Sequence, residues 1–444
     1  MDYINRLKNV AVLGSAGKMG SGILLLTAVE MTYQKLKKEN QNETFSLHAV
    51  DVSEKALEGL IAYVRSQATK LAEKSIVKLR QIYVDDSSVI ENADVIEKFV
   101  NDVVAIIKPT TRIESAYDAG LVFEAINENP DLKVKLIRQI DQNSNNTPWF
   151  FTNTSSVPIH ALNEKAGLDG RIIGFHFYNP PAVQKLVELI PADKTLDEIH
   201  DFAKAYAKAL KKVVVPSNDI AGFIGNGHFM RDALHGISQA EKLFEEKGMA
   251  RAVYIINKVT QDYLVRPMGI FQLIDYVGVD VVRYILQVMN PYFDEALHSN
   301  LLDRLYEKGI KGGQNHDGSQ KDGFLKYEKG KPVAAYDEQK GTYVPFDSFA
   351  KEEDQKLGDL PKEWIPWKKI IRSSDKDALL NKHFHALKKQ DTYGSKLATD
   401  YGRKSRDIAR HLVKQHIAHN DADVNTVLTT GFFHAYGPIN RYFD

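Results

Sequence analysis

Along the first part of the chain, apolar positions come in two rhythms. NVAVL at 9 to 13 is a short, wholly apolar run, the pattern of a strand buried on both faces. It ends at GSAGKMGSG and passes into a helical pattern reaching about Lys38. The polar loop ENQNET then leads to a second strand-like run, SLHAVD at 46 to 51. Strand, glycine-rich turn, helix and strand make a βαβ unit and predict a parallel sheet. The charged, helix-favouring segment from about 53 to 104 is longer than one crossover helix needs, and predicts two helices paired as a hairpin. Apolar runs return at LVFEAI (121 to 126), WFFTN (149 to 153), RIIGFHF (171 to 177), LVELI (186 to 190) and KVVVP (212 to 216).

From Asp219 the character changes. Helical patterns dominate to about 309, which sets a domain boundary near 216. Residues 310 to 375 are rich in Gly, Asp and Lys and read as an excursion or linker, and helical sequence resumes at about 376. A weak repeat also emerges. Residues 253 to 271 can be laid on 423 to 439, so that Pro267-Met268-Gly269 meets Ala435-Tyr436-Gly437, Asn257 meets Asn425 and Val259 meets Val427. Chance similarity of two helix–turn segments is the alternative. The expected organisation is an α/β nucleotide-binding domain at 1–216 with its hairpin at 53–104, and a first all-α domain at 217–325. A linker at 326–375 and a second helical copy at 376–444 would complete it.

Composition narrows the function classes. Lys+Arg 58 against Asp+Glu 58 gives zero formal charge, which disfavours a nucleic-acid-binding domain. The absence of cysteine excludes disulfides, thiolate metal sites and a cysteine nucleophile. No apolar run approaches the roughly 18 to 20 residues of a membrane span. GILLLTAV at 22 to 29 follows a glycine-rich loop carrying Lys18 and lacks a cleavage site, so it reads as an internal helix rather than a leader. A cytoplasmic location is expected.

Two constellations carry chemistry. Gly14-Ser15-Ala16-Gly17-Lys18-Met19-Gly20 follows a predicted strand and opens a predicted helix. That is the context in which glycines allow a tight turn, close approach of a pyrophosphate and helix-on-sheet packing. Asp51, at the tip of the next strand, can bond an adenosine ribose and would repel a 2′-phosphate, which favours NAD over NADP. A glycine-rich loop beside a surface aspartate is the plainer reading. The second constellation is GFHFYNPPAVQKLVELI (174 to 190). His176 ends one strand, Asn179-Pro180-Pro181 turn the chain and Glu188 lies in the next strand. A carboxylate on one ring nitrogen fixes the tautomer and favours imidazolium, leaving the other nitrogen to take a proton. A core histidine bonded to a backbone carbonyl is the alternative. His383 with His385, and His416 with His419, invite a metal reading, but no glutamate completes a zinc-hydrolase pattern and no metal is expected.

The motifs taken together resemble the L-3-hydroxyacyl-CoA dehydrogenases. They are VxxxGxxGxMGxGI from Val10, VFEAINEN (122 to 129), NTSSxxI (153 to 159), GFHFYNPP with LVELI, DIAGFIGN (219 to 226) and RPMGIFQLIDYVGVDVV (266 to 282). They stand in family order across about the first 330 residues. The resemblance implies NAD-dependent oxidation of (S)-3-hydroxyacyl-CoA to 3-ketoacyl-CoA, as in fatty-acid β-oxidation. His176 would be the base and Glu188 its orienting partner. Ser155 would bond the substrate oxygen near the nicotinamide, and Asn226 would bind substrate. Glu128, Lys133 and Asn179 match cofactor-contacting positions, and Lys311 in GIKGG matches a later lysine. The hairpin would grip CoA, with Lys70, Lys74 and Lys78 on one helix face as a stripe for its phosphates; a merely solvated face is the alternative. Three departures stand out. The glycine loop is one residue longer than the family's, Gly227 replaces the family's arginine, and the region beyond 330 resembles only the second helical copy of longer members. In the family the helical domain pairs two subunits, so the expected states are a monomer through tandem copies or a homodimer. Two other functions stay open: the same fold acting on a free hydroxy acid or sugar acid, and a non-catalytic NAD-binding protein.

Overall fold

Eight strands build the sheet of the first half: β1 (Asn9–Leu13), β2 (Ser46–Val50), β3 (Ile107–Thr110), β4 (Leu121–Glu124), β5 (Trp149–Thr152), β6 (Ile172–Phe177), β7 (Leu186–Pro191) and β8 (Val213–Pro216). Their order is β3-β2-β1-β4-β5-β6-β7-β8 in the computed structural model, which describes residues 3–315 and 318–444. From β3 to β6 every pairing is parallel. β7 then runs antiparallel to β6, and β8 parallel to β7. Helices cover both faces, which is why β4, β5 and β6 are buried along their whole length. On one face Phe123, Phe151, Phe175 and Phe202 gather around Tyr206, whose hydroxyl lies 2.8 Å from Thr27 Oγ1 and ties two covering helices together.

The segment after β2 is a hairpin of helices Glu54–Lys74 and Asn92–Ala105, with a short helix Ile76–Ile82 between them. Ser53 caps the first helix by accepting from Ala56 N, and Leu60, Val64 and Ala68 face Val95, Phe99 and Val103 in one core. The chain turns at Ser75 (φ −113°, ψ 15°), so Lys70 and Lys74 end one helix while Lys78 belongs to the next. The expected single stripe of three lysines is therefore broken. Lys78 turns instead onto the Tyr33 ring, its ammonium 3.6 Å from the centroid. β3 carries Pro109 and no apolar run, so periodicity did not announce it; at the sheet edge a missing N–H costs nothing.

The first compact unit closes at Asp219, three residues beyond the expected boundary. The reason is local. Asp219 accepts from the backbone N–H groups of Ile159 and His160 at the start of helix Ile159–Ala166, which ties the chain to the first unit that far.

The second unit, Ile220–Asp444, is mainly helical, opening with Gly225–Lys247 and Met249–Lys258. The stretch expected to be a linker is folded into it. Strands β9 (Leu325–Glu328), β10 (Lys331–Asp337) and β11 (Thr342–Pro345) form an antiparallel meander, followed by helix Ala350–Leu357. Leu325, Ala335, Tyr336, Phe349 and Leu357 are buried in the unit's core. This corrects the linker at 326–375. The physical reason is that the few apolar side chains in that polar stretch are spaced to meet one face, and a buried carboxylate fastens it. Asp275 accepts from Phe324 N (2.6 Å), Leu325 N (2.9 Å) and Tyr327 Oη (3.0 Å). His316 and Asp317, within the stretch read as an excursion, lie outside the described residues.

The positions matched by the repeat share one geometry. Asn257 Oδ1 accepts from Gln272 N at 3.0 Å, and Asn425 Oδ1 accepts from Ile439 N at 3.0 Å. In each case a glycine lies against the asparagine, so close that a Cβ on Gly269 or Gly437 would stand 2.2 Å from its Oδ1. The two parts also bond to each other through buried groups. Arg266 pairs with Asp232 (2.7 Å) and donates to Ser405 Oγ (3.0 Å), and Tyr401 Oη donates to Asp232 O (3.0 Å). Gly269→Ala and Gly437→Ala should each lower unfolding stability by about 1–3 kcal/mol through overpacking. Urea denaturation reads this, and a loss confined to Gly269→Ala would show that the second part does not unfold with the first.

Candidate active site

The crevice at the carboxyl ends of the parallel strands is where open α/β sheets take ligands. Five segments of the first unit reach it. The loop after β1 turns at Gly14 (φ +71°), where a Cβ would stand 2.6 Å from Ala125 O. Gly20 lies under it so tightly that a Cβ would meet Gly14 O at 2.0 Å. Gly17 N donates back to Gly14 O at 3.1 Å, and the helix Gly20–Lys35 starts at Met19 with no side chain capping its first turn. Ser15 is fully buried with no hydrogen-bond partner for its hydroxyl, while Lys18 is exposed on the rim. Asp51, just after β2, accepts from Ala16 N (3.0 Å) and Ser53 N (3.2 Å), so it shapes the same loop that it borders.

Beneath the crevice lies a charged floor. Lys133 Nζ sits between Glu124 Oε1 (2.7 Å) and Glu128 Oε2 (3.2 Å). Glu128 Oε1 accepts from Ser155 N (2.8 Å), Ser156 N (3.0 Å), Thr154 Oγ1 (2.6 Å) and Ser156 Oγ (2.8 Å), gathering the loop after β5 around one carboxylate. Burial raises the Glu128 carboxyl, but Lys133 and these donors outweigh it and hold it down at about 2. Lys133 was expected to touch the cofactor. The structure sets it under the floor, its side chain 1% exposed, where it supports Glu128.

The fifth segment is GFHFYNPPAVQKLVELI, residues 174 to 190. β6 and β7 pair so that His176 and Glu188 are direct cross-strand partners, and His176 Nδ1 lies 3.2 Å from Glu188 Oε1. With the carboxylate ionised, Nδ1 carries the proton and Nε2 is the basic nitrogen. Glu188 is fully buried and the His176 side chain is 10% exposed. Asn153 Oδ1 accepts from Phe177 N (2.9 Å), which binds the Ser155 loop to the end of β6. A cis peptide joins Asn179 to Pro180, and Pro181 packs on Gly22 at the start of the helix that follows the glycine loop. Lys212 Nζ holds this turn from behind, donating to Pro181 O and Gln184 O at 2.6 Å each.

Two expected site residues belong to the second unit: Asn226 in the first turn of helix Gly225–Lys247, and Lys311, exposed, whose carbonyl accepts from Val279 N at 2.7 Å. Among the histidines weighed for metal, His383 is buried with Nε2 on Tyr263 O (2.8 Å), and His385 is exposed. Among the described residues no group of three or more His, Asp or Glu gathers to hold a metal ion. No helix of the described residues is long and apolar enough to cross a membrane.

Residues 9–220 match the model of the 3-hydroxyacyl-CoA dehydrogenase NAD binding domain, and residues 222–322 that of the same enzymes' C-terminal domain. The chain belongs to the 3-hydroxyacyl-CoA dehydrogenase family. A probable 3-hydroxyacyl-CoA dehydrogenase of Caenorhabditis elegans is 30% identical over 330 residues, 73% of this chain and 98% of its own length. The human mitochondrial hydroxyacyl-coenzyme A dehydrogenase is 28% identical, over 72% of this chain and 92% of its own. Among solved structures, the (S)-3-hydroxybutyryl-CoA dehydrogenase of Ralstonia eutropha has a TM-score of 0.54 at 26% identity, covering 73% of this chain and all of its own. The 3-hydroxybutyryl-CoA dehydrogenase of Escherichia coli, at 20% identity, shares the fold over 98% of this chain and 90% of its own, with a TM-score of 0.63.

As a member of this family the chain binds NAD through its first unit. Its own residues fit that cofactor: the glycines leave room where a Cβ would close the loop, the helix start is uncapped, and the Ser15 hydroxyl is unpartnered. Four supporting residues escaped the sequence reading, namely Glu124, Asn153, Tyr178 and Lys212. Tyr178 donates to Glu188 Oε1 at 2.6 Å. It lies two residues beyond His176, and the two-residue period of strands was the signal that could have found it. Because folding depresses the Glu128 carboxyl, its contribution to stability is complete above the unfolded value near 4.5 and is lost as pH falls toward about 2. Unfolding free energy measured from pH 6 to 2 should fall over that window, and Glu128→Gln should flatten the fall.

Proposed function

We propose that this protein catalyses the reversible, NAD-dependent oxidation of (S)-3-hydroxyacyl-CoA to 3-ketoacyl-CoA, the reaction of fatty-acid β-oxidation. The observation that carries the reading is the buried, register-locked His176–Glu188 pair, with His176 near the carboxyl end of β6, at the same end of the parallel strands as the glycine loop after β1. NAD supplies the hydride acceptor. The chain's own residues do the rest. His176 Nε2 removes the 3-hydroxyl proton, and the Glu188 carboxylate, held at Nδ1, balances the imidazolium that forms. Ser155, on the loop gathered by Glu128, hydrogen-bonds the substrate oxygen. Lys70 and Lys74, both exposed, are available to CoA phosphates; Lys78, engaged with Tyr33, is not counted with them. Asp51 selects NAD over NADP.

The reading extends to assembly and location. Buried bonds between the two parts of the helical unit, Arg266 to Ser405 and Tyr401 to Asp232, supply within one chain the pairing that two subunits would otherwise provide. A monomer in the cytoplasm is the state it predicts. Sedimentation equilibrium should return the monomer mass, and a dimer at micromolar concentration would refute this part.

His176→Gln should lower turnover by roughly 10²- to 10⁴-fold if general-base catalysis is its role. NADH absorbance during acetoacetyl-CoA reduction measures it, with NAD affinity as the control for folding. Near-normal turnover would remove the mechanism, and a preference for free 3-hydroxy acids over their CoA thioesters would remove the substrate assignment.

A further inference from the structure

We propose that Tyr178 is a positioning residue of this site, acting through Glu188 both to aim the carboxylate at the His176 ring and to temper how strongly it holds the imidazolium. The inference rests on the reading of His176 as the base. Glu188 Oε1 takes two donors at once, Tyr178 Oη at 2.6 Å and His176 Nδ1 at 3.2 Å. The phenol makes the shorter bond, in the range of a charge-assisted O–H···O⁻ contact. The two rings stand side by side, their centroids 4.8 Å apart and their planes 40° to each other, because residues two apart on an extended chain share a face.

Three physical consequences follow from one shared oxygen. A buried carboxylate needs donors, and two donors on one oxygen fix its position beside Nδ1. Its electron density is divided, so it stabilises the imidazolium less than it would serving the ring alone. The division also persists across working pH, because burial and the Glu188 charge push the Tyr178 phenol well above its usual range and keep it a donor. Other charged groups on neighbouring elements of this unit have their own partners. Glu124 and Glu128 are bound to Lys133 and the loop after β5, and the Lys212 ammonium to the carbonyls of Pro181 and Gln184. From the two strands, Glu188 and Tyr178 face the imidazole.

Tyr178→Phe keeps the ring and deletes the hydroxyl. Glu188 then serves His176 alone, the ring keeps its proton to higher pH, and the neutral base appears later. The acidic limb of the kcat/KM profile for 3-hydroxybutyryl-CoA oxidation should move up by about half to one pH unit. Replacing Tyr178 by 3-fluorotyrosine, a stronger donor of nearly the same size, should move the limb down, and this variant decides the matter if Tyr178→Phe does not fold. In a Glu188→Gln background the Tyr178→Phe shift should vanish, and its persistence would overturn action through Glu188. NMR titration of ¹³C-labelled histidine, with the His176 signal identified by its loss in His176→Gln, should show the same displacements without turnover. A stationary His176 titration in both variants overturns the proposal even in an active enzyme. A wild-type protein inactive on acyl-CoA overturns the functional reading instead, and leaves the NMR comparison to judge Tyr178 by itself.

Discussion

The reversal of β7 against β6 is the constraint on which the site depends. A strand presents alternate residues to opposite faces, so shifting β7 by one position would send Glu188 to the other side of the sheet and bring Val187 or Leu189 opposite His176. The register is held by the buried side chains of both strands, from Ile172 to Phe177 and from Leu186 to Ile190, and by β8, which pairs along the outer side of β7. The turn joining them is fixed at both ends, by Pro181 against Gly22 and by Lys212 on two backbone carbonyls. Packing that looks remote from chemistry therefore decides whether an imidazole meets a carboxylate.

Around the crevice, buried charge serves in different ways. The Glu124–Lys133–Glu128 group holds shape: its oxygens satisfy Lys133 and the backbone of the loop after β5, and a desolvated ion cluster of this kind is sustained only because nearly every donor and acceptor is paired. Glu188, itself fully buried, is paired instead with an imidazole whose side chain is 10% exposed. The first arrangement gives a rigid floor to the crevice. The second fixes one ring nitrogen of His176 against a buried carboxylate.

The helical unit shows the same economy of anchoring. A polar, glycine-rich segment joins its core because Asp275 accepts from two backbone N–H groups and a tyrosine hydroxyl; burial, with the Asp322 charge, outweighs these donors and pushes that carboxyl up to about 8. Asp232 and Arg266 do comparable work between the two parts related by the repeat, and the Arg266 charge keeps the Asp232 carboxyl down at about 2. Family models reach only to residue 322, yet core side chains such as Phe349, Leu380 and Phe443 come from beyond it.

What the sequence determined by itself was periodic or stereochemical. Runs such as NVAVL and LVELI, glycines spaced around a turn, and a histidine and a glutamate on consecutive strands are local statements, and local sterics and burial make them legible. Motif order was enough to name the family and its cofactor. The tertiary structure alone decided which partners long side chains chose. Lys133 went beneath Glu128, Lys78 left its stripe for Tyr33, Tyr178 joined Glu188, and residues 325 to 345 became a sheet rather than a linker. Each choice pairs groups from separate elements, and the desolvation that drives such pairing exists only once the chain has closed around them.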